Sequence, residues 1–572
     1  MQVIAAVDTG GTFTDVVARG DGGLQVVKVP STPEDPAAAV LAGLEAALPG
    51  RGLALLVHGS TVATNALLEG AGGRVVLVTN RGFEDVLAIG RQSRPGLYAL
   101  AGTREPALVP PERRLGVTGR LGPRGEELEP QDASDLAALA GRVSAAGGES
   151  VAVVLLHSYA DGRHERAVEA ALAGLALPCT LSSDLLPEFR EYERTATTVV
   201  NAYVAPKMDS YLARLEAESG AARVRIMGSG GGAVAVARAR REPAHTILSG
   251  PAGGVAGALH VAARHGIRDI MTFDMGGTST DVSLCPGRAL FTREFAIAGV
   301  PVALPVLDIH TVGAGGGSIA RVDAAGALRV GPASAGARPG PVSYGLGGTN
   351  ITVTDANVAL GRLVSHGPLQ LDAAAVASPM AALGRNLGCS PEEAAAGVVA
   401  VVNTAMESAL RVISVERGHD PARFTLVPFG GAAGLHAVAL AEQLDIPRIL
   451  VPPWPGVLSA YGMLVAPVRK DSTRSVLLHE DDAGRMEPLF REMEAAALGA
   501  MTEEGVDEGS VVVRRTVAAR YVGQSHELEV PADDWIRRFH DAHAGRFGHA
   551  RHGAAVEAVT LRVEAESPGE TL

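Results

Sequence analysis

The chain has 572 residues, 47% of them hydrophobic, and is long enough to bury the cores of two or three domains. Its formal net charge of −13 argues against nucleic acid or an anionic membrane as a partner, because both attract a positive protein surface. Three scattered cysteines have neither disulfide nor metal-ligand spacing, and none of the three lysines lies in a Gly-Lys-Ser or Gly-Lys-Thr sequence, which excludes a Walker phosphate loop. No apolar run reaches the roughly 18 residues of a membrane span and no basic leader precedes the first strand, so we expect a cytoplasmic protein.

The N-terminal sequence predicts a strand, a glycine turn and a hairpin. Apolar residues 3–7 lead into Asp8-Thr9-Gly10-Gly11-Thr12-Phe13-Thr14-Asp15, and two alternating strands surround Asp21-Gly22-Gly23. Glycines let backbone N–H groups face an anion, and the threonine hydroxyls add further donors. The first turn therefore has the composition of a phosphate site.

Strands and helices then alternate as far as residue 205. The predicted helices are 33–48, 82–89, 164–173 and 197–205, and the predicted strands are 53–57, 75–79 and 150–156. This order predicts a largely parallel sheet with helices on both faces. Residues 91–125 lack periodicity and carry several prolines, which favours a surface excursion. The charged segment Glu188 to Thr195 is typical of a solvated helix start.

The second half repeats the N-terminal turn. Thr272-Phe273-Asp274-Met275-Gly276-Gly277-Thr278-Ser279-Thr280-Asp281 shares six of eight positions with Asp8 to Asp15. Asp274, at the end of a buried strand, could hold Mg²⁺ directly or through water. Two copies some 266 residues apart, from Asp8 to Asp274, suggest duplicated halves that face each other across a cleft.

Two further segments flank this second turn. Leu248 to Gly254 opens a predicted helix that runs to His265, where N-terminal amides could meet an anion or the glycines could allow close helix packing. Asp308 and His310 are two residues apart before a glycine-rich turn, so on a strand they would share a face. That spacing suits a carboxylate that orients an imidazole, two metal ligands, or a structural histidine.

The last third predicts a long helix and a small α+β piece. Ser390 can cap an amphipathic helix over 391–417, and strand 424–427 precedes Gly430-Gly431-Ala432-Ala433-Gly434, which opens a helix with His436. Strand 448–451 follows. Beyond Lys470 we expect helices 486–498 and 535–547 with strands 511–521, 526–530 and 558–566.

Taken together, these motifs resemble a known family. The two turns look like the phosphate loops of the actin, sugar-kinase and heat-shock ATPase superfamily, and within it the chain is similar to the hydantoinase/oxoprolinase family A subunit (N-methylhydantoinase A-like). The segments that carry this resemblance, over roughly residues 3 to 470, are 58–65, 188–195, 248–254, 308–318 and 429–434. For the segment 188–195, the resemblance favours a hinge or substrate-cleft role for Arg190, Glu193 and Arg194.

The resemblance implies an α/β fold of two duplicated actin-like ATPase (ribonuclease H-like) halves that face a nucleotide cleft, plus a small C-terminal α+β piece. The expected domains are 1–190 with the first phosphate loop, 191–470 with the second phosphate and adenosine loops, and 471–572, which is shorter than usual in the family.

The implied activity is ATP-dependent ring-opening hydrolysis of a cyclic amide, such as a hydantoin, 5-oxoproline or a related lactam. ATP and Mg²⁺ are the implied cofactors, and a hydantoinase B-type subunit is the implied partner in a hetero-oligomer. One alternative is the beta subunit of an ATP-dependent ketone carboxylase. Another is a chaperone-like or activator ATPase, against which the polar motifs outside the phosphate loops argue.

The resemblance and the motifs together give a set of candidate site residues. The expected catalytic residues are Asp8, Asp274, Asp308 and His310, with Asp8 and Asp274 also as metal ligands. The expected nucleotide-binding residues are Thr9, Gly10, Gly11, Thr12, Thr14, Gly250, Gly276, Gly277, Thr278, Ser279, Gly315, Gly316, Gly430, Gly431 and Gly434.

Overall fold

The computed structural model describes residues 3–11, 13–20, 22–32, 34–50, 52–93, 106–365 and 370–569. Within these ranges the strands, numbered β1 to β27 in chain order, are Ile4–Thr9, Phe13–Gly20, Gly23–Pro30, Leu55–Ser60, Val75–Asn80, Arg114–Val117, Arg120–Leu121, Glu127–Glu129, Ser150–Val154, Cys179–Leu181, Val224–Met227, Ala233–Ala235, Asp269–Met275, Thr280–Pro286, Phe291–Thr292, Phe295–Ile297, Val300–Val302, Val306–Leu307, Ile309–Val312, Ser318–Val322, Leu328–Ser334, Thr425–Phe429, Arg448–Ile449, Arg469–His479, Val512–Tyr521, Leu528–Pro531 and Val556–Glu566. The helices, numbered α1 to α16, are Pro36–Ala47, Val62–Leu68, Val86–Ile89, Ala133–Ala145, Arg163–Leu172, Ser182–Leu185, Glu191–Glu218, Val236–Arg241, Ser249–Arg264, Val353–Ala359, Ala373–Leu387, Pro391–Ile413, Ala437–Gln443, Leu458–Val465, Met486–Glu503 and Trp535–Phe547.

The chain packs into two compact units, each made of segments that are separate in sequence. Unit 1 contains residues 1–51, 249–292 and 307–465, and unit 2 contains residues 52–248, 293–306 and 466–572. Both predicted phosphate loops therefore lie in unit 1. The domains expected from the sequence, 1–190, 191–470 and 471–572, stay a prediction, because the units are defined by packing and cut across the first two of those ranges.

Unit 1 contains the repeated strands. An antiparallel meander joins β1, β2 and β3, and a five-stranded sheet has the order β19-β14-β13-β22-β23. In that sheet β13 pairs antiparallel with β14 and parallel with β22. The β1–β2 and β13–β14 hairpins are the two copies of the sequence repeat, so the predicted duplication is present in the fold.

Helix α12 is the main core helix of unit 1. Ser390 caps its N-terminus in a capping box with Glu393, as the sequence predicted. Its apolar face joins a core that includes Val282 of β14, together with residues of α10, α11 and α13. Among the described residues, the helical stretch 391–417 is the one long and apolar enough to cross a membrane, and half of its most apolar window is buried inside the protein.

Unit 2 contains several sheets. Strands β10, β9, β5 and β6 form a parallel sheet, while β4 pairs parallel with β11 and β11 antiparallel with β12. The C-terminal strands form an antiparallel sheet in the order β24-β27-β25-β26, and its core includes residues of α15 and α16. This confirms the small C-terminal α+β piece.

Several predicted elements in unit 2 need correction. The segment 91–125 is not wholly a surface excursion, because Arg114–Val117 pairs parallel with β5, while residues 94–105 of that segment lie outside the described ranges. The helix predicted over 82–89 is reduced to Val86–Ile89. Strand β24 was missed, because the sequence from Arg469 to His479 is polar and only partly buried.

The helix predicted at 197–205 is much longer in the structure. Helix α7 has 28 residues, from Glu191 to Glu218, and it continues through Pro206. Its first turn carries the charged motif, and the structure satisfies those charges inside unit 2. Arg194 is fully buried and donates to Leu155 O at 2.8 Å and Ser158 Oγ at 3.0 Å, while Glu193 pairs with Arg91. The motif is therefore part of the packing of unit 2.

Candidate functional site

The two phosphate-loop candidates have the same backbone turn. In the first, the Gly10 N–H donates to Phe13 O at 3.0 Å, and in the second, the Gly276 N–H donates to Ser279 O at 3.1 Å. These residues occupy equivalent positions of the repeat. The sequence identity of the two copies thus corresponds to one local structure, formed twice within unit 1.

Each hairpin places its two aspartates opposite each other. Asp8 of β1 is the register partner of Asp15 of β2, and Asp274 of β13 is the partner of Asp281 of β14. Partners in an antiparallel ladder project on the same face of the sheet, with Cβ atoms about 4.5–5.5 Å apart. Four carboxylates therefore form two rows next to the glycine turns.

The third strand of each motif extends its row by one residue. Asp15 pairs with Lys28 of β3 in register and in an ion pair. Thr311 of β19 is the register partner of Asp281 and donates to its Oδ1 at 2.6 Å. We call Asp8, Asp15 and Lys28 the first row, and Asp274, Asp281 and Thr311 the second row. Neither Lys28 nor Thr311 was among the residues predicted from the sequence.

The carboxylates have perturbed acidities because they are withdrawn from water. Burial, and then the charge of Asp15, raise the pKa of Asp8 from 3.8 to about 7, against the opposing effect of Lys28. Burial raises the pKa of Asp274 well above its usual range, and repulsion from Asp281, Asp8 and Asp15 adds to that effect. The charge of Asp8 contributes to the raised pKa of Asp274, so the two rows lie within electrostatic range of each other in unit 1.

Two predicted glycines lie directly against these aspartates. A Cβ atom on Gly250, in the first turn of α9, would lie 3.1 Å from Asp8 Oδ1. A Cβ atom on Gly430 would lie 2.3 Å from Asp274 Oδ1, and Gly430 has a φ of +84° that other residues rarely adopt. Glycine is therefore required at 430 to leave Asp274 in place, whereas a side chain at 250 would crowd Asp8. By contrast, Gly253 and Gly257 of the same helix pack against α14, which agrees with the close helix packing considered for this segment. Anion binding by the N-terminal amides stays a prediction.

Other predicted residues support the turns. The N–H of Gly316 donates to Gly276 O at 3.0 Å, and a Cβ on Gly315 would lie 2.8 Å from Gly277. Thr14 is fully buried and its hydroxyl lies 3.1 Å from Ser31 Oγ. These contacts hold the loops in shape. Gly315, Gly316 and Thr14 therefore contact the loops from the side that faces the protein interior.

The remaining predicted glycines leave open space. A Cβ atom built on any of Gly11, Gly277, Gly431 or Gly434 meets nothing within 4 Å. Of the other predicted residues, Thr278 is exposed, Ser279 and Gly10 are partly exposed, Thr9 is buried, and Thr12 lies outside the described residues. The open side of both turns is therefore lined by backbone and small side chains, as an anion site requires.

Asp308 and His310 are not brought to the rows. His310 is the register partner of Val282, which packs into the α10–α12 core, whereas the neighbouring Thr311 faces Asp281. Adjacent strand residues point to opposite faces, so His310 lies on the other face from the aspartates. Asp308 forms an ion pair with Arg417, just beyond α12. Their catalytic roles stay a prediction, and this geometry does not support them.

The two rows fit a divalent cation held partly by a ligand. No group of three or more His, Cys, Asp or Glu side chains is placed to hold a metal in the part of the chain that the structure describes. Mg²⁺ commonly takes one or two carboxylates and completes its shell with phosphate oxygens and water. Half-buried carboxylates at Asp8 and Asp274, with raised pKa values and glycines beside them, fit such a site.

The fold and the site together define an α/β protein with a duplicated hairpin motif that presents two glycine turns and paired aspartates. Family comparisons give this class its name. Residues 4–174 match the hydantoinase/oxoprolinase N-terminal region, and residues 194–472 match the hydantoinase/oxoprolinase model. The chain belongs to the hydantoinase/oxoprolinase family, which confirms the resemblance seen in its motifs.

Three relatives show the range of the family. Caprolactamase subunit alpha of Pseudomonas jessenii is 35% identical over 98% of this chain and 86% of the relative. The crystal structure of the ATP-dependent caprolactamase from that organism matches with a TM-score of 0.87 at 32% identity, over 99% of this chain and 89% of that one. The 5-oxoprolinase of Saccharomyces cerevisiae is 32% identical over 98% of this chain and 49% of the relative. The acetone carboxylase beta subunit of Xanthobacter autotrophicus is 29% identical over 92% of this chain and 80% of the relative.

Proposed function

We propose that this chain is the ATP-using subunit of a cyclic amide hydrolase. It would bind Mg²⁺–ATP at the two turns of unit 1 and transfer the γ-phosphoryl group to the amide oxygen of a ring amide such as a lactam, a hydantoin or 5-oxoproline. The observation that carries this proposal is the pair of equivalent turns with facing aspartates. The similarity to a caprolactamase and to 5-oxoprolinases supports the choice of a ring amide.

The chemistry explains why ATP would be needed. A ring amide is resonance-stabilised, and attack of its oxygen on the γ-phosphorus releases ADP and leaves an O-phosphorylated imidate. Water then adds to the activated carbon, and the carbon–nitrogen bond opens to release the ring amine and leave an acyl phosphate. A second water hydrolyses that acyl phosphate to a carboxylate and phosphate. Catalysis of phosphoryl transfer is mostly positioning and charge neutralisation.

The residues of the two rows have separate tasks in this scheme. Asp8 and Asp274 would hold Mg²⁺, which supplies neutralisation of the charge that develops on the phosphates. Backbone N–H groups at the open positions Gly11 and Gly277 would face phosphate oxygens. Gly431 and Gly434 leave space beside Asp274 for the rest of the nucleotide.

A partner subunit is part of the proposal. The chain spans about half of the yeast 5-oxoprolinase but most of the caprolactamase subunit alpha, so a second chain would supply what the longer relative carries. We place that assembly, a hetero-oligomer with a hydantoinase B-type subunit, in the cytoplasm. The acetone carboxylase beta subunit favours a second candidate, in which the same ATP site supports carboxylation of a ketone.

One panel of assays separates these activities. The purified chain, alone and with a co-expressed B-type subunit, is given Mg²⁺–ATP and caprolactam, 5-oxoproline, hydantoin or acetone, with and without bicarbonate. We expect ATP binding by the single chain, and ADP release dependent on a ring amide in the complex. ADP release that requires acetone and bicarbonate would establish the second candidate, and rapid lactam hydrolysis by the single chain would contradict the need for a partner.

A further inference from the structure

The two rows differ at one position, and that difference carries a functional consequence. Their first two members are aspartates in both copies, but the third is the cation Lys28 in the first row and the neutral Thr311 in the second. Each third member contacts the second aspartate of its row, Lys28 through an ion pair and Thr311 through a 2.6 Å hydrogen bond. The first row therefore contains a cation, and the second row does not.

Lys28 is positioned to reach a ligand at the first turn. Its side chain is 43% exposed, and its ammonium lies 5.2 Å from the ring centroid of Phe13, which closes that turn. It also lies 3.5 Å from Gly456 O. Lys28 is the sole lysine in the sequence of unit 1, and its positive charge acts on Asp8 as well as on Asp15.

We infer that Lys28 is a phosphate-binding residue of the first turn, and that the two rows divide the work. In the free chain its ammonium neutralises Asp15. When the triphosphate is bound, the ammonium donates to a phosphate oxygen, and the carboxylate of Asp15 holds it in that position. The second row has no cation of its own, so its charge is balanced by the metal that Asp274 holds together with Asp8. This inference rests on the proposed function.

The alternative is an exposed ion pair with no ligand role, which is typical of surface lysines and contributes little to stability. Nucleotide affinity distinguishes the two. By calorimetry, Lys28→Gln should weaken Mg²⁺–ATP binding by about tenfold or more, the scale of a charge-assisted hydrogen bond, and should leave adenosine binding unchanged. Lys28→Arg should retain most of the ATP affinity, since it keeps the charge. Thr311→Val should instead raise the Mg²⁺ concentration needed for half-saturation.

The chain offers a second test that needs no loss-of-function variant. Reductive methylation with ¹³C-formaldehyde labels its lysines, Lys28, Lys207 and Lys470, while preserving their charge. Lys207 is exposed on α7 of unit 2 and is the matched reference, and Lys28→Arg and Lys207→Arg assign the signals. On addition of Mg²⁺–ATP, we expect the Lys28 resonance to shift and the Lys207 resonance to stay in place.

The outcomes distinguish a failure of this inference from a failure of the proposed function. If calorimetry shows Mg²⁺–ATP binding, but the Lys28 resonance does not move and Lys28→Gln binds as the wild type does, Lys28 is only a surface ion pair and the inference is wrong. If calorimetry shows no nucleotide binding by the wild-type chain or by its complex, the proposed function itself fails, and the inference fails with it.

Discussion

The described residues do not fully neutralise the negative charge of the Asp8 and Asp274 carboxylates. Burial raises the pKa of both groups, and each repels other carboxylates of the two rows. Lys28 offsets part of that repulsion in the first row, and Asp274 has no cation partner among the described residues. Buried charge without a partner is unfavourable, so a cation brought by a ligand would stabilise this arrangement.

The pKa of Asp8 predicts how stability depends on pH. Its folded value of about 7 lies above the ordinary 3.8, so between these values the folded chain binds more protons than the unfolded chain. Unfolding free energy from this group is therefore greatest below about pH 4 and is lost as the pH rises through 7. Without Mg²⁺, Asp8→Asn should gain Tm relative to the wild type by about 2 °C or more between about pH 4 and pH 8. Calorimetric scans across this range test it, and a difference that does not change with pH would contradict it.

Asp274→Asn tests the metal role, and His310→Ala is its natural comparison. The asparagine keeps the shape of the side chain but removes the charge, so ATP-dependent turnover by the complex should fall by roughly 10² or more. His310 faces the core on the other side of the sheet, so its alanine variant should keep Mg²⁺–ATP affinity within about threefold. Calorimetry and a phosphate-release assay measure both. Equal loss of nucleotide affinity in the two variants would show that this division of the sheet is wrong.

At the scale of elements, the glycine loop after β22 holds the second row in place. The Gly430 N–H donates to Pro455 O at 2.9 Å, and the Ala432 N–H donates to Met275 O at 3.0 Å. The loop is therefore tied to β13 and lies against Asp274. A change in this loop should be transmitted to the carboxylate through contact.

Gly430→Ala should disturb this contact, and Gly431→Ala should not. The new methyl group at 430 would lie 2.3 Å from Asp274 Oδ1 on a backbone with φ of +84°, so we expect a loss of roughly 1–3 kcal/mol in unfolding free energy. At 431 the methyl group meets nothing within 4 Å, and the change should be within about 0.5 kcal/mol. Urea unfolding of the two variants measures the difference, and equal losses would count against the close packing of Gly430 on Asp274.

Much of the first row follows from the sequence once the turns are recognised. A hairpin that pairs Gly20 with Gly23 has a fixed register, and that register places Lys28 opposite Asp15, as the structure shows. The same reasoning applied to the first glycine turn places Asp15 opposite Asp8. Lys28 was missed because it lies outside the sequence motif Asp8 to Asp15 and meets Asp15 only through strand pairing.

The second row could not be completed in this way. Thr311 reaches Asp281 only after residues 287–308, whose short strands and loops do not fix a register by sequence alone. The spacing of Asp308 and His310 predicted a shared strand face, but β19 begins at Ile309 and does not include Asp308. The spacing could not show which face, because that depends on how β19 pairs with β14. Local patterns therefore predicted the turns and hairpins, and long-range pairing decided which side chains meet.

At the scale of the whole molecule, the two turns are far apart in sequence but belong to the same compact unit. They are some 266 residues apart in the chain, from Asp8 to Asp274, yet both lie in unit 1, and the charge of Asp8 raises the pKa of Asp274. Under the proposed function, a single nucleotide with its metal would contact both turns. Binding should order the two turns together, since each supplies donors or carboxylates to the same ligand.

Hydrogen exchange tests this joint response. On adding saturating Mg²⁺–ATP to the chain, amides of the segments 8–15 and 274–281 should both become protected, by about tenfold or more if binding stabilises the turns by at least 1.4 kcal/mol. Strands β25 and β27 of the C-terminal sheet in unit 2 provide the internal control, because they belong to a separate core, and their exchange should not change. Asp274→Asn should remove the protection of both segments, since the ligand is shared. Protection of one turn without the other, in a chain that calorimetry shows to be saturated, would mean that the two copies do not bind one nucleotide.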